Sequence, residues 1–150
     1  MLDTSAVIGW VELQDPSLVR WLLSSAGDEV PAVHAVSLGE LERGVMDAPD
    51  EATARQRQAT LTFSSDELEV VPLTAAGEQA HLFGAISSAV SRKVSHNDCW
   101  ITAAALERDD TLITMDQRLA DQLRAADSEG RLADWLRARG RTLDVRYFSR

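Results

Sequence analysis

Apolar residues along the chain follow two spacings. Short apolar runs bounded by turn residues fall at Met1–Asp3, Glu29–His34, Glu69–Pro72, Thr111–Thr114 and Leu143–Phe148, and each predicts a strand. Between them, apolar positions three and four apart predict helices over 16–25, 37–46, 51–62, 74–92, 97–108, 117–126 and 130–138. In the longest, Ala76, Ala80, Phe83, Ser87 and Val90 form one stripe. The 97–108 segment is apolar almost all round (Trp100, Ile101, Ala103, Ala104, Ala105, Leu106), which predicts a buried helix. Turn signals separate these segments at Asp15-Pro16, Ala26-Gly27-Asp28, Ala48-Pro49-Asp50, Ser64-Ser65-Asp66, Ser128-Glu129-Gly130 and Gly140. Alternating strands and helices predict the α/β class, a mostly parallel sheet with helices on both faces.

With 150 residues and neither repeat nor linker, the expectation is a single domain over 1–150. Net charge is −9, which excludes a protein that coats DNA or anionic membranes indiscriminately, but not a nuclease whose site is itself built of carboxylates. Charge is uneven: residues 117–150 hold eight arginines against five acids and read as an Arg-rich C-terminal extension of the same domain. The one cysteine, Cys99, rules out a disulfide scaffold and favours a reducing compartment. No apolar run is long enough to span a bilayer, and Met1-Leu2-Asp3-Thr4-Ser5 lacks a basic leader, so a cytoplasmic protein without membrane contact is expected.

Ligands of open parallel sheets gather at the carboxyl ends of the strands. Four acids fall at such ends: Asp3 after the first strand, Glu40 in the helix after the second, Asp98 opening the buried helix, and Asp116 after Thr111–Thr114. Each also has a plain structural use. Ser37-x-x-Glu40 and Ser95-x-x-Asp98 fit capping boxes, and Asp3 and Asp116 can cap the helices after them. Their shared edge is what points to chemistry, because clustered carboxylates repel one another unless a hard cation such as Mg²⁺ or Mn²⁺ joins them. Periodicity does not choose between Glu40 and Glu42, which lie on opposite sides of the stripe Leu38, Leu41 and Val45.

Four segments occur in a telling order: Leu2-Asp3-Thr4-Ser5-Ala6-Val7-Ile8, Ser37-Leu38-Gly39-Glu40-Leu41-Glu42-Arg43-Gly44-Val45, Asn97-Asp98-Cys99-Trp100-Ile101-Thr102-Ala103-Ala104 and Leu112-Ile113-Thr114-Met115-Asp116. Together they resemble the PIN-domain ribonucleases, specifically the VapC-like toxins of type II toxin–antitoxin pairs. The resemblance implies a three-layer α/β/α fold with about five strands. It makes Asp3, Glu40, Asp98 and Asp116 the catalytic, metal-binding acids, Glu40 rather than Glu42 because it holds the E-L-x-x-G place. Thr4, Ser5, Asn97 and Thr114 become supporting polar groups. One or two Mg²⁺ or Mn²⁺ ions would assist hydrolysis of RNA phosphodiesters, leaving 5′-phosphate and 3′-hydroxyl ends. The resemblance also implies a homodimer held inactive by a cognate antitoxin, with an apolar surface around Val11, Leu18, Trp21 and Leu22 as part of that interface. Where the family often continues with an acid and an aromatic, Gln117-Arg118-Leu119 follow Asp116 here. Arg43, Arg92, Lys93 and Arg118 are the candidate RNA contacts.

Two other classes compete. A catalytically inactive PIN-like binding module keeps the acids but forbids metal-dependent cleavage. A phosphate-handling receiver or phosphatase wants a lysine beside a mid-chain aspartate, and the one lysine, Lys93, has no such context. No Walker or G-x-G-x-x-G loop occurs, and His34, His81 and His96 lack zinc-ligand spacing.

Overall fold

The computed structural model describes residues 1–25, 29–128 and 130–149. The predicted turns at Ala26-Gly27-Asp28 and at Glu129 therefore lie outside the described residues, in the second case in part. The elements in order are α1 (Thr4–Val11), α2 (Pro16–Ser25), β1 (Ala32–His34), α3 (Ala35–Met46), α4 (Glu51–Glu67), β2 (Glu69–Val71), α5 (Gly77–Ala89), α6 (His96–Glu107), β3 (Leu112–Thr114), α7 (Gln117–Ser128), α8 (Arg131–Arg137) and β4 (Val145–Tyr147).

Every strand pairing is parallel. β1 lies beside β2 with Val33 opposite Val70, and β3 beside β4 with Ile113 opposite Arg146. Leu2 joins the two pairs by bridging both Val33 and Ile113, which gives the order β2–β1–Leu2–β3–β4. The first strand, expected over Met1–Asp3, is thus reduced to a single bridging residue. Asp3 stops it by turning the chain into α1.

Alternate residues of each strand feed opposite faces, as the period of two requires. Leu2, Val33 and Ile113 face a cluster with Ala6, Val7, Leu18, Leu22 and Leu41. Met1, Ala32 and Leu112 face the other, with Leu82, Ile86, Ile101, Leu106, Leu119 and Leu123. Helices α1–α4 therefore cover one face and α5–α8 the other, the expected three layers. The α6 run from Ile101 to Leu106 is wholly buried, as its unbroken apolarity predicts.

Several local expectations change. Helix α1 is absent from the periodic segments because it is apolar on every side and presents no stripe; Ala6, Val7 and Gly9 are buried. Helix α4 runs through the predicted turn at Ser64-Ser65-Asp66, because Ser64 Oγ bonds back to the Thr60 carbonyl at 2.8 Å and Ser65 Oγ to that of Thr62 at 3.0 Å. In α5 the inward stripe is Gln79, Leu82 and Ile86 rather than the one through Ala76 and Ala80. Ser37 is no N-cap. His34 takes that place, its Nδ1 accepting from the Val36 amide at 3.3 Å, while the Ser37 hydroxyl is buried inside α3 without a partner. Leu18 and Leu22 belong to the core, and Trp21 is covered by Phe148, ring centroids 5.7 Å apart, and by Arg146. Leu13 and Leu23 beside them stay exposed, at 52% and 81%.

Candidate active site

The carboxyl edge of the sheet gathers the predicted acids by local capping chemistry. Asp3 caps α1: Oδ1 accepts from the Ala6 amide at 2.7 Å and from Ser5 Oγ at 2.8 Å. Its Oδ2 accepts from Thr114 Oγ1, at the end of β3, at 2.5 Å. Ser5 Oγ lies 3.3 Å from Thr114 Oγ1 and accepts from the Met115 amide at 2.8 Å, so α1 and the β3 end are stitched together around Asp3. The residue is 3% exposed. Burial, with a smaller push from the Asp98 charge, raises its pKa from 3.8 to about 6 even though its hydrogen bonds oppose the rise.

Glu40 stands on the second turn of α3 and caps nothing. Its carboxylate accepts from Thr4 Oγ1 and, at 2.8 Å, from Asn97 Nδ2 at the start of α6. One side chain thus ties three helices together across the edge. Glu42 is exposed on another face of α3, which resolves what periodicity left open: Glu40 is the glutamate at the edge.

Asp98 completes a capping box. Ser95 Oγ accepts from the Asp98 amide at 3.0 Å, and Asp98 Oδ2 accepts from the Ser95 amide and hydroxyl at 3.1 and 2.8 Å. Burial pushes its pKa up, opposed by the Ser95 hydrogen bonds and reinforced by the charges of Glu40 and Asp116. Asp98 is therefore the hub, electrostatically coupled to the other three acids. Asp116 caps α7 through the Leu119 amide at 3.0 Å, and its own amide donates to Thr114 Oγ1 at 2.9 Å. Capping and convergence are thus one arrangement: three of the four acids are held at the edge by the helices they start.

The candidate basic residues divide. Arg118 lies 3.6 Å from Asp116, and Arg43 lines a cleft with Glu40 while pairing with Asp47 at 3.3 Å. Arg92 and Lys93 are exposed in the turn before Ser95. The cleft, about 870 Å³, runs from Thr4, Glu40 and Asn97 to Glu12 and Arg57, two residues that sequence reasoning passed over. Arg57 sits on α4 and Glu12 just past the end of α1, both without motif context, and only the packing of α1 and α4 against α3 brings them here. Cys99 is an inert buried thiol, its pKa pushed up to about 11 by burial.

The donor set, all carboxylate oxygen with hydroxyls and an amide around it, suits a hard divalent cation. Among the described residues, however, no three His, Cys, Asp or Glu side chains stand close enough to hold one as they are arranged. Asp98 is turned onto Ser95 and Glu40 onto Thr4 and Asn97, so loading a cation requires those hydrogen bonds to loosen.

A parallel sheet between two helical layers, with acids collected where the strands end, defines an open α/β class whose ligands bind at that edge. Residues 1–124 match the PIN domain family, and the chain belongs to that family. Solved structures similar to it are toxin–antitoxin assemblies. One is VapBC2 from Rickettsia felis bound to a DNA fragment from their promoter, at 19% identity and TM-score 0.69, covering 98% of this chain and 96% of that one. Another is VapBC-5 from Mycobacterium tuberculosis, at 26% identity and TM-score 0.62, covering 99% and 96%. A third is VapBC-1 from nontypeable Haemophilus influenzae, at 14% identity and TM-score 0.68, covering 98% and 96%. No curated protein matches the chain.

Proposed function

We propose that this protein is the toxin of a toxin–antitoxin pair: a cytoplasmic endoribonuclease that cleaves RNA by divalent-metal-assisted hydrolysis, dimerises, and is restrained by a cognate antitoxin. The observation that carries the reading is the placement of four carboxylates from four separate segments at one sheet edge, each fixed there by hydrogen bonds to the ends of neighbouring elements. Membership in the PIN family and likeness to VapBC structures support it. In this reading Asp3, Glu40, Asp98 and Asp116 hold one or two Mg²⁺ or Mn²⁺ ions. When bound, the cation lowers the pKa of a water for in-line attack on phosphorus and neutralises charge on the phosphate.

The chain's own groups do the positioning. Thr114 and Ser5 fix Asp3 through both carboxylate oxygens, and Thr4 and Asn97 fix Glu40. One of the four carboxylates would also take the proton from the attacking water. The antitoxin, by the same electrostatics, would present a cation to the acidic edge. Residues 117–150 complete the same domain in this reading, supported by the pairing of β4 with β3 and by Leu119, Leu123, Leu132 and Leu136 in the core.

The alternative, an inactive binding module, is favoured by one observation, the absence of a ready-made metal cluster among the described residues. The test is cleavage of total RNA by wild type and Asp98→Asn with Mg²⁺, with Mn²⁺ and with EDTA, using an untagged N-terminus. Cleavage lost in the variant and in EDTA supports the nuclease. Folded wild-type protein that cuts nothing under any condition overturns it in favour of the binding module.

A further inference from the structure

The cleft that adjoins the acidic edge at Glu40, the one of the four acids lining it, runs along one face of α3. Val36, Glu40, Gly44 and Asp47 recur three and four apart and share that face, with Ile8 of α1, Glu12 at the end of α1 and Arg57 of α4 also lining the cleft. Gly39 also lines it, and a Cβ there would meet nothing within 4 Å. With Gly39 and Gly44 on this wall, an extended chain can lie close against α3. Ile8 and Val36 give the middle of the cleft an apolar lining suited to a ribose or a base face.

Arg57 is placed by a fixed contact. Its Nη1 donates to the Gly44 carbonyl at 2.5 Å, one of the last-turn carbonyls that α3 itself leaves without a partner. A guanidinium carries five N–H donors, and among the described residues only that carbonyl accepts from Arg57. The remaining donors are available to whatever lies in the cleft. Gly44 comes four residues after Glu40, about 6 Å along the helix, roughly one step of an extended polynucleotide. Arg43, at the same level, is held only by an exposed pair with Asp47, 84% and 65% exposed, which a phosphate can displace at little cost.

We propose that Arg57, with Arg43 beside it, binds the phosphate of the RNA strand next to the one cut, so that the strand enters the acidic edge along α3. The inference rests on the ribonuclease reading and adds to it a path and a residue that determines substrate binding. Arg57 touches a non-reacting phosphate, so it acts on binding rather than on the chemical step.

The test uses the full chain. A fluorescein-labelled single-stranded RNA oligonucleotide is titrated with Asp98→Asn protein, alone and carrying Arg57→Gln, Arg57→Lys or Arg43→Gln, and followed by anisotropy across a salt series. The same arginine variants in the otherwise wild-type chain are assayed for KM and kcat. Arg57→Gln is expected to weaken binding and raise KM about 5- to 20-fold, with kcat within about threefold, and to flatten the salt dependence by about 0.7 in log–log slope. Arg57→Lys recovers part of the loss, because it keeps the charge without the fork. If Arg57→Gln fails to fold, Arg43→Gln, which leaves the Gly44 contact intact, carries the test with an expected 2- to 5-fold loss. Wild-type KM and salt slope in the folded variants, with wild-type cleavage intact, overturn this inference alone. A wild-type chain that neither binds nor cuts RNA overturns it together with the ribonuclease reading.

Discussion

Asp3 sets a measurable pH dependence on the stability of the metal-free protein. Its pKa rises from 3.8 to about 6 on folding, with burial as the first cause. A carboxyl whose folded pKa lies above its unfolded value disfavours the folded state when ionised, so this cost is fully present above pH 6. It is relieved as pH falls from about 6 towards 4, where the folded state takes up a proton that the unfolded chain does not. A rise of this size corresponds to roughly 3 kcal/mol. Asp3→Asn removes the ionisation, but it replaces one acceptor facing Thr114 and Ser5 by a donor, at a cost of about 1 kcal/mol. The net expectation in EDTA at pH 7.5 is a variant more stable by about 1–2 kcal/mol, several degrees in Tm. At pH 4.5 the advantage vanishes or reverses. Urea unfolding of both proteins from pH 4.5 to 8 gives the difference curve, in which the opposing contribution of His34, whose pKa burial lowers, cancels. A difference that is flat across this range refutes the account of Asp3 as a buried, destabilising carboxylate.

Three further outcomes follow from the same geometry. Glu40→Gln should reduce RNA cleavage at least 100-fold while Glu42→Gln, exposed on α3, retains wild-type rates; the reverse pattern would reassign the helix face. Saturating Mn²⁺ should raise the Tm of the wild type, by up to about 3 kcal/mol of stability at a hundred times its Kd, and EDTA or Asp98→Asn should abolish the rise. In α1, Gly9→Ala would place its Cβ 2.0 Å from Met115 Sδ and 3.4 Å from Leu18, a loss of about 1–3 kcal/mol, whereas Gly84→Ala on α5 meets nothing within 4 Å and should gain about 0.5–1 kcal/mol. Thermal melts of both variants decide the contrast.

Much of this protein is written in short-range sequence. Strand residues such as Val33 and Ile113, the capping box Ser95–Asp98, and the apolar run of α6 declare themselves because they follow from backbone periodicity and local hydrogen bonding. The order of the four acid-bearing segments was legible for the same reason, each acid standing where a strand ends or a helix begins. Helix α1 was not legible, since a helix apolar nearly all round has no polar face to give it a period. Nor was Ser64 as a helical residue, because its hydroxyl chooses between breaking a helix and bonding back to Thr60 only once α4 is packed.

Tertiary structure alone decided which residues meet. Glu40 is distinguished from Glu42 by Thr4 and Asn97, residues 36 and 57 positions away, which reach it only when α1 and α6 flank α3. The raised pKa of Asp3 needs the closure of the sheet around it, and the cleft from Glu40 to Arg57 exists only where three helices pack together. Capping is a contest among neighbours in the chain, so sequence narrows it to a few candidates, correctly at Ser95 and Asp98 but not at α3, where His34 rather than Ser37 caps the helix. Burial, electrostatic coupling and the shape of a cleft are sums over residues remote in sequence, and only the folded chain brings those residues together.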